Sequence, residues 1–148
     1  MGQTRRHLMG RKTYEVLAGL PAEHRDAGWE WTSKNPTTVF SRTLNDTSWP
    51  ATTLCADDAV KHVRGLKGTE GSDLRTVGSL SLVRQLLNAG LVDRLRLIVF
   101  PVLLGQTGRQ PVFHAVGDFA LQLHDQRVLD GRIVLLDYRP GGSPPYAS

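Results

Sequence analysis

The passage from Val77 to Gly105 constrains this chain more than any other. It opens as the end of a strand and turns at Gly78. Leu82, Val83, Leu86 and Leu87 then recur at helical spacing as far as Asn88. Gly90 supplies a left-handed stop, with Leu91 placed to pack back on the helix. An apolar strand follows, with Leu95, Leu97 and Val99 on one face and Arg96 and Ile98 on the other, until Pro101 limits further pairing. A strand-turn-helix-turn-strand passage needs a sheet to belong to. A glycine at its first turn lets backbone approach an anion, which the positive end of the next helix favours.

The flanking chain supplies such a sheet. Residues 6–10 read as a strand and Arg11–Gly19 as a short helix, with Tyr14, Leu17 and Ala18 on one face. The span from Ala22 to Asn35 is polar and reads as a surface loop anchored by Trp29 and Trp31. Residues 37–41 and 52–55 read as strands, and 56–66 as a helix with Ala59, Val60, Val63 and Leu66 inward and Asp57 and Asp58 in its first turn. A turn is expected at 68–72 and a strand at 73–77. Strands at 119–129 and 132–138 flank Asp130-Gly131, a strong hairpin signal. The fold class is therefore α/β: a mostly parallel sheet ending in an antiparallel hairpin. One domain over 1–140 is expected, with 141–148 a disordered Gly/Pro/Ser tail.

Composition narrows the function. The 148 residues are 40% hydrophobic and 22% charged, ordinary for a globular chain. No apolar run approaches the roughly 20 residues of a membrane span, and the basic start, Met1 to Arg11, lacks the apolar core of a secretory signal. A single cysteine, Cys55, excludes an internal disulfide and a cysteine zinc site. A cytoplasmic location is the expectation. The net charge of +4 is spread along the chain, with no aromatic-interleaved basic tract, so neither nucleic acid nor membrane is the expected partner. The five histidines, His7, His24, His62, His114 and His124, lack metal-ligand spacing, and no metal is expected.

Three turns each follow a strand. Gly10-Arg11-Lys12-Thr13 joins a close-approach glycine to two cations and a helix start; Ser41-Arg42-Thr43 sets a cation between hydroxyls; Gly78-Ser79-Leu80-Ser81 opens the second helix. In an open α/β sheet such positions lie where ligands bind, so the three could meet one elongated phosphorylated ligand. Each also has a plain reading: a tight turn with solvated cations, ordinary turn hydroxyls, simple strand-helix punctuation. Neither a G-x-G-x-x-G fingerprint nor a P-loop is present.

Leu8-Met-Gly-Arg-Lys-Thr-Tyr-Glu15, Val39-Phe-Ser-Arg-Thr-Leu44, Val77-Gly-Ser79, Leu86 to Asp93, Pro101 to Gly105, Pro111-Val-Phe113 and Leu129 to Pro140 occur in order. Together they resemble the dihydrofolate-reductase-like superfamily, in particular the reductase domain of the riboflavin-biosynthesis deaminase-reductase. That resemblance implies an NADPH-dependent reductase of the 5-amino-6-(5-phosphoribosylamino)uracil reductase type, acting on a small heterocyclic substrate. It implies that Gly10, Arg11, Lys12 and Thr13 line the cofactor phosphates. Ser41, Arg42 and Thr43 would meet the adenosine 2′-phosphate, and Gly78, Ser79, Leu80 and Ser81 the pyrophosphate. It allows a homodimer and names no catalytic residue. The family also carries a first strand, a mobile loop and a helix ahead of the segment matched here. That strand is expected beside the one ending at Val77; without it, two strands would face a gap of roughly 10 Å, twice the inter-strand spacing, or must close together. Leu80 stands where the family keeps a small residue and either crowds the pyrophosphate or points into the core. A second reading stays open: a non-catalytic nucleotide-binding or dimerising relative.

Overall fold

The computed structural model describes residues 6–69, 71 and 73–146. The basic start at 1–5, and residues 70 and 72 of the turn expected at 68–72, lie outside the described residues. The chain forms two compact units, Met1–Gln85 and Leu86–Ser148, with the boundary inside one helix. Each carries its own sheet.

In the first unit, β1 (Arg6–Gly10), β2 (Thr37–Phe40), β3 (Thr52–Cys55) and β4 (Leu74–Thr76) form a wholly parallel sheet in the order β3-β2-β1-β4. Parallel strands covered on both faces carry little polar alternation. Accordingly His7, Leu8 and Met9 of β1 and Thr37, Thr38 and Val39 of β2 are all buried. The His7 ring lies 4.9 Å from that of Trp31. α1 (Arg11–Ala18) leaves β1 directly, and its Tyr14 packs with Met9, Val39 and Trp49. The Tyr14 hydroxyl accepts the Ser48 N–H at 2.8 Å, which holds the β2–β3 connection against α1. Each such apolar side chain contributes about 1.5–3 kcal/mol on full burial.

The span read as a surface loop contains a 3-10 turn, Ala22–His24, and a helix, α2 (Ala27–Lys34). Its polar composition hid the helix, and the signal lay in the cap. Asp26 accepts the Trp29 N–H at 2.8 Å, satisfying an otherwise orphaned first-turn donor. Lys34 sits at the favourable C-terminal end, 3.7 Å from Glu30. α3 (Ala59–Lys67) starts three residues later than the sequence suggested, because Asp58 serves as its cap, accepting from Lys61 N–H at 2.8 Å.

α4 (Leu80–Asn88) carries the chain into the second unit. Its end is a Schellman turn: Gly90 has φ +68°, Gly90 N–H donates to Leu87 O and Leu91 N–H to Leu86 O, both at 3.0 Å. The Asn88 side chain then clamps the following loop. It donates to Ala115 O at 2.9 Å and accepts from Gly117 N–H at 3.0 Å. β5 (Leu95–Val99), β6 (Leu121–Leu129) and β7 (Ile133–Pro140) form an antiparallel sheet in the order β5-β7-β6. Asp130 (φ +51°) and Gly131 (φ +67°), both left-handed, open the three-residue turn 130–132 of the expected hairpin, in which Arg132 N–H donates to Leu129 O at 3.1 Å. Of the expected tail, residues 147 and 148 lie outside the described residues. Before them Gly141 N–H donates to Ala120 O at 3.0 Å, and Pro144 is buried.

The fold is thus α/β, with one mostly helical-connected parallel sheet and one antiparallel sheet rather than a single continuous one. Among the described residues β4 pairs only with β1, and β5 only with β7. The open side of β4 is the place where the resemblance expected a further strand.

Asp137 on β7 is the charged group buried in the second unit. It faces Arg96 across the β5–β7 ladder. Arg94 grips it with two bonds, Nε to Oδ1 at 2.8 Å and Nη2 to Oδ2 at 2.6 Å, and Arg96 Nε adds a third at 3.0 Å. Hydrogen bonding to Arg94, against the opposing effect of desolvation and with help from Arg96, holds this carboxyl far below its ordinary value. A lowered carboxylate stabilises the fold fully above its unfolded value of 3.8 and ceases to do so as pH falls through its folded value. Asp137→Asn should therefore lower the urea midpoint at neutral pH. The deficit relative to the parent should shrink steadily below pH 4, a trend that paired denaturation curves would measure.

Candidate functional site

The carboxyl end of β1 becomes the start of α1 without an intervening loop. Gly10, the helix cap, is extended (φ −82°, ψ 167°). Two residues past β4, Gly78 and Ser79 both adopt φ +57°. The left-handed pair turns the chain sharply enough to bring Ser79 over the start of α1. Gly10 N–H donates to Ser79 Oγ at 2.9 Å, and that hydroxyl donates to Thr13 Oγ1 at 2.9 Å. At Gly78 the constraint is the positive φ, since a Cβ there would meet Thr13 Cγ2 at 3.4 Å, an ordinary contact. The Ser79 carbonyl accepts Val83 N–H at 3.0 Å and so opens α4. Two helix N-termini, α1 and α4, are thereby tied to one polar cluster. Their positive ends make the locus attractive to an anion.

The third turn joins at the same edge of the sheet. Phe40 pairs with Gly10 in the parallel ladder, so Ser41 follows β2 where Arg11 follows β1. Ser41 Oγ is committed to its own turn, accepting Thr43 N–H at 3.2 Å and Leu44 N–H at 3.0 Å. Arg42 and Thr43 are exposed. The cations differ in availability. Arg11 is held by Glu15 one turn on, Nη1 to Oε2 at 2.8 Å. Lys12 and Arg42 form no ion pair among the described residues. Leu80 is half-buried as the first residue of α4, and Ser81 is exposed beside it. The expected residues thus fall into a linked core of Gly10, Thr13, Gly78 and Ser79 and a looser flank of Lys12, Ser41, Arg42 and Thr43. Arg11 is turned to its own helix.

A cleft that the sequence did not disclose borders this cluster. It encloses about 260 Å³ between α1 and α2, with Leu17, Trp29, Trp49 and Val77 among its walls. Val77 is one peptide bond from Gly78. The only sequence hint was the pair Asp26 and Trp29 at capping distance. A larger cleft of about 390 Å³ lies in the second unit, around Leu87, Val92 and Phe119, with Asp118 its one carboxylate. It brings no cation or hydroxyl cluster together, and the convergence of polar groups favours the first unit as the functional one. Among the described residues no group of three or more metal-ligating side chains occurs, and no helix is long and apolar enough to cross a membrane.

The family model for the RibD C-terminal domain matches residues 10–135. The chain belongs to the RibD C-terminal domain family. It is 29% identical over 141 residues to the uncharacterized protein YyaP of Bacillus subtilis, an alignment covering 91% of this chain and 73% of that one. Its fold is similar to that of a solved Shewanella protein assigned to riboflavin biosynthesis (TM-score 0.73, 17% identity, 95% of this chain and 75% of that one). It is also similar to a pyrimidine reductase-like protein of Corynebacterium diphtheriae (TM-score 0.66, 14%, 95% and 77%). RibD of Acinetobacter baumannii gives a TM-score of 0.66 at 16% identity, with 95% of this chain set on 47% of that one. These likenesses bear out the RibD-like α/β architecture that the motifs suggested.

The tie between the two turns makes a specific demand at Gly78. Gly78→Ala must hold a Cβ at positive φ against Thr13, and should cost about 1–2 kcal/mol in urea unfolding. A cost near zero would mean that the left-handed turn does not set the cluster.

Proposed function

We propose that this RibD-family chain is an NADPH-dependent reductase that transfers hydride to a small pyrimidine- or pterin-like heterocycle. The observation that carries the reading is the Gly10–Ser79–Thr13 tie, which sets the N-termini of α1 and α4 side by side at the carboxyl end of a parallel sheet. The family membership and the reductase-like relatives support the same reading. The residues suit a dinucleotide. Glycine at position 78 keeps side-chain bulk out of the turn. Backbone N–H groups at two helix starts favour a pyrophosphate, and Lys12 and Arg42 are cations without internal partners, suited to a 2′-phosphate. Bound there, NADPH would supply the hydride. The chain's own part is to orient that cofactor against the substrate by position and electrostatics. No acid-base residue is assigned, and Leu80, half-buried at the helix start, is read as a packing residue of α4.

Calorimetric titration with NADPH and NADH in parallel tests this. Arg42→Ala should weaken NADPH by roughly tenfold or more, the loss of one charge-assisted contact, and leave NADH nearly unchanged. Equal loss for both nucleotides would remove the 2′-phosphate assignment. Failure of the parent chain to bind either at millimolar concentration would sink the reductase reading.

We also infer that the chain forms a homodimer through its second unit. Ile98, Val99, Phe100, Leu121 and Leu123 are each about half exposed and Leu103 is fully exposed, an apolar concentration that a monomer does not ordinarily leave in water. Sedimentation equilibrium should return twice the chain mass, and Leu123→Arg should return the monomer. A monomeric parent chain would refute the assignment.

A further inference from the structure

We propose that Glu15 is a positioning residue of the anion locus. It holds Arg11 as an internal counter-ion in the free chain and gives it up to a nucleotide phosphate. It thereby sets how strongly the locus prefers the more anionic nucleotide. The inference rests on the cofactor reading and goes beyond it, since that reading draws on Lys12 and Arg42 and leaves Arg11 and Glu15 aside.

The charge at the start of α1 comes first. A helix N-terminus is partly positive and favours acidic residues in its first turn. α1 has none there, and its first two residues are Arg11 and Lys12. Two full cations thus stand on a positive helix end, which is the unfavourable arrangement for the helix itself. Arg42 adds a third cation two residues past β2, whose end pairs with Gly10. Across residues 10–15, 41–44 and 78–82, which hold the three turns, Glu15 is the one carboxylate.

Its geometry is that of a counter-ion more than of a helix brace. Both Glu15 carboxylate oxygens accept from one nitrogen, Arg11 Nη1, at 3.0 and 2.8 Å. Arg11 Nε and Nη2 make no hydrogen bond among the described residues, so the guanidinium keeps donors for a second partner. The order along the helix, cation before acid, is the weaker one for a pair four residues apart. The two side chains are 39% and 45% exposed, so water screens the pair and exchange of partner costs little. A phosphate offers a guanidinium paired, charged oxygens and outcompetes a screened carboxylate. Glu15 also repels that phosphate while it stays ionised beside it. Both effects subtract from anion affinity, and they subtract more from the ligand with more charge. The plain alternative is a brace that only stiffens α1. The two differ in sign: loss of a brace weakens binding, whereas loss of a counter-ion strengthens it.

Calorimetric titration of the full chain with NADPH and NADH tests the proposal in the parent, Glu15→Gln, Arg11→Ala and the double variant. Glutamine matches glutamate in size and in helix propensity, so the fold is kept. Glu15→Gln should tighten NADPH by roughly two- to fivefold, the range of an exposed ion pair, and NADH by less. In the Arg11→Ala background the same substitution should have a clearly smaller effect, because Glu15 acts through Arg11. Unchanged or weaker NADPH binding in Glu15→Gln, an equal gain for both nucleotides, or an equal gain with and without Arg11 would each overturn it. NADPH binding by the parent with no gain in Glu15→Gln defeats the role of Glu15 and leaves the cofactor reading standing. Binding of neither nucleotide by the parent or by Glu15→Gln defeats both.

Discussion

The first unit depends on β1 being flanked on both sides by parallel partners. A strand paired at both edges and covered on both faces can hold almost nothing polar that lacks an internal partner. Its interior residues, His7 to Met9, are accordingly buried. The same constraint makes the strand's carboxyl end special. The chain must leave the sheet there, and it does so straight into α1, so the first free backbone donors of that helix emerge at the sheet's edge. β2 and β4 run in the same direction and end at the same edge. Parallel pairing thus gathers Gly10, Ser41 and Gly78 before any side chain contributes.

Side chains then convert proximity into a defined site. The left-handed conformation at Gly78 and Ser79 is costly for the serine. It is retained together with two hydrogen bonds, to Gly10 and Thr13, that link one strand end to another across the sheet. Part of the polar inventory is consumed in this way. The Gly10 amide and the Ser41 and Ser79 hydroxyls serve the turns themselves, and Arg11 serves Glu15. The groups left uncommitted among the described residues are the helix ends and the cations Lys12 and Arg42. The site reads as a rigid frame with a small number of uncommitted charges, an arrangement suited to positioning more than to acid-base chemistry.

The second unit balances different terms. Its sheet buries one carboxylate, Asp137, which three arginine hydrogen bonds satisfy. Removing a charge from water costs several kcal/mol unless such partners are supplied, so the triad defines the β5–β7 register as well as joining the strands. This unit also leaves several large apolar side chains exposed, among them Ile98, Phe100, Leu103 and Leu123.

Periodicity and turn chemistry made most elements legible in the sequence. β1, α1, β3, α4, β5 and the Asp130-Gly131 hairpin follow from local rules: alternation, a 3.6-residue stripe, a glycine that must be left-handed. The three turns that end at one edge of the parallel sheet were legible for the same reason, as each is a short run following a strand. α2 was not, because Trp29 and Trp31 lie among polar residues and only the Asp26 cap marks the helix. Arg11 and Glu15 stand four apart on the expected helix, so their ion pair lay within reach of a local rule, whereas the lack of an ion pair at Arg42 among the described residues did not. Tertiary structure alone decided that Ser79 bonds Gly10 and Thr13, and that the sheet is divided in two. It alone placed Trp29, Trp49 and Asp26 around one cleft. The physical reason is range: backbone conformation responds to near neighbours in the chain, whereas a site is made by groups that only long-range strand pairing brings within hydrogen-bond distance.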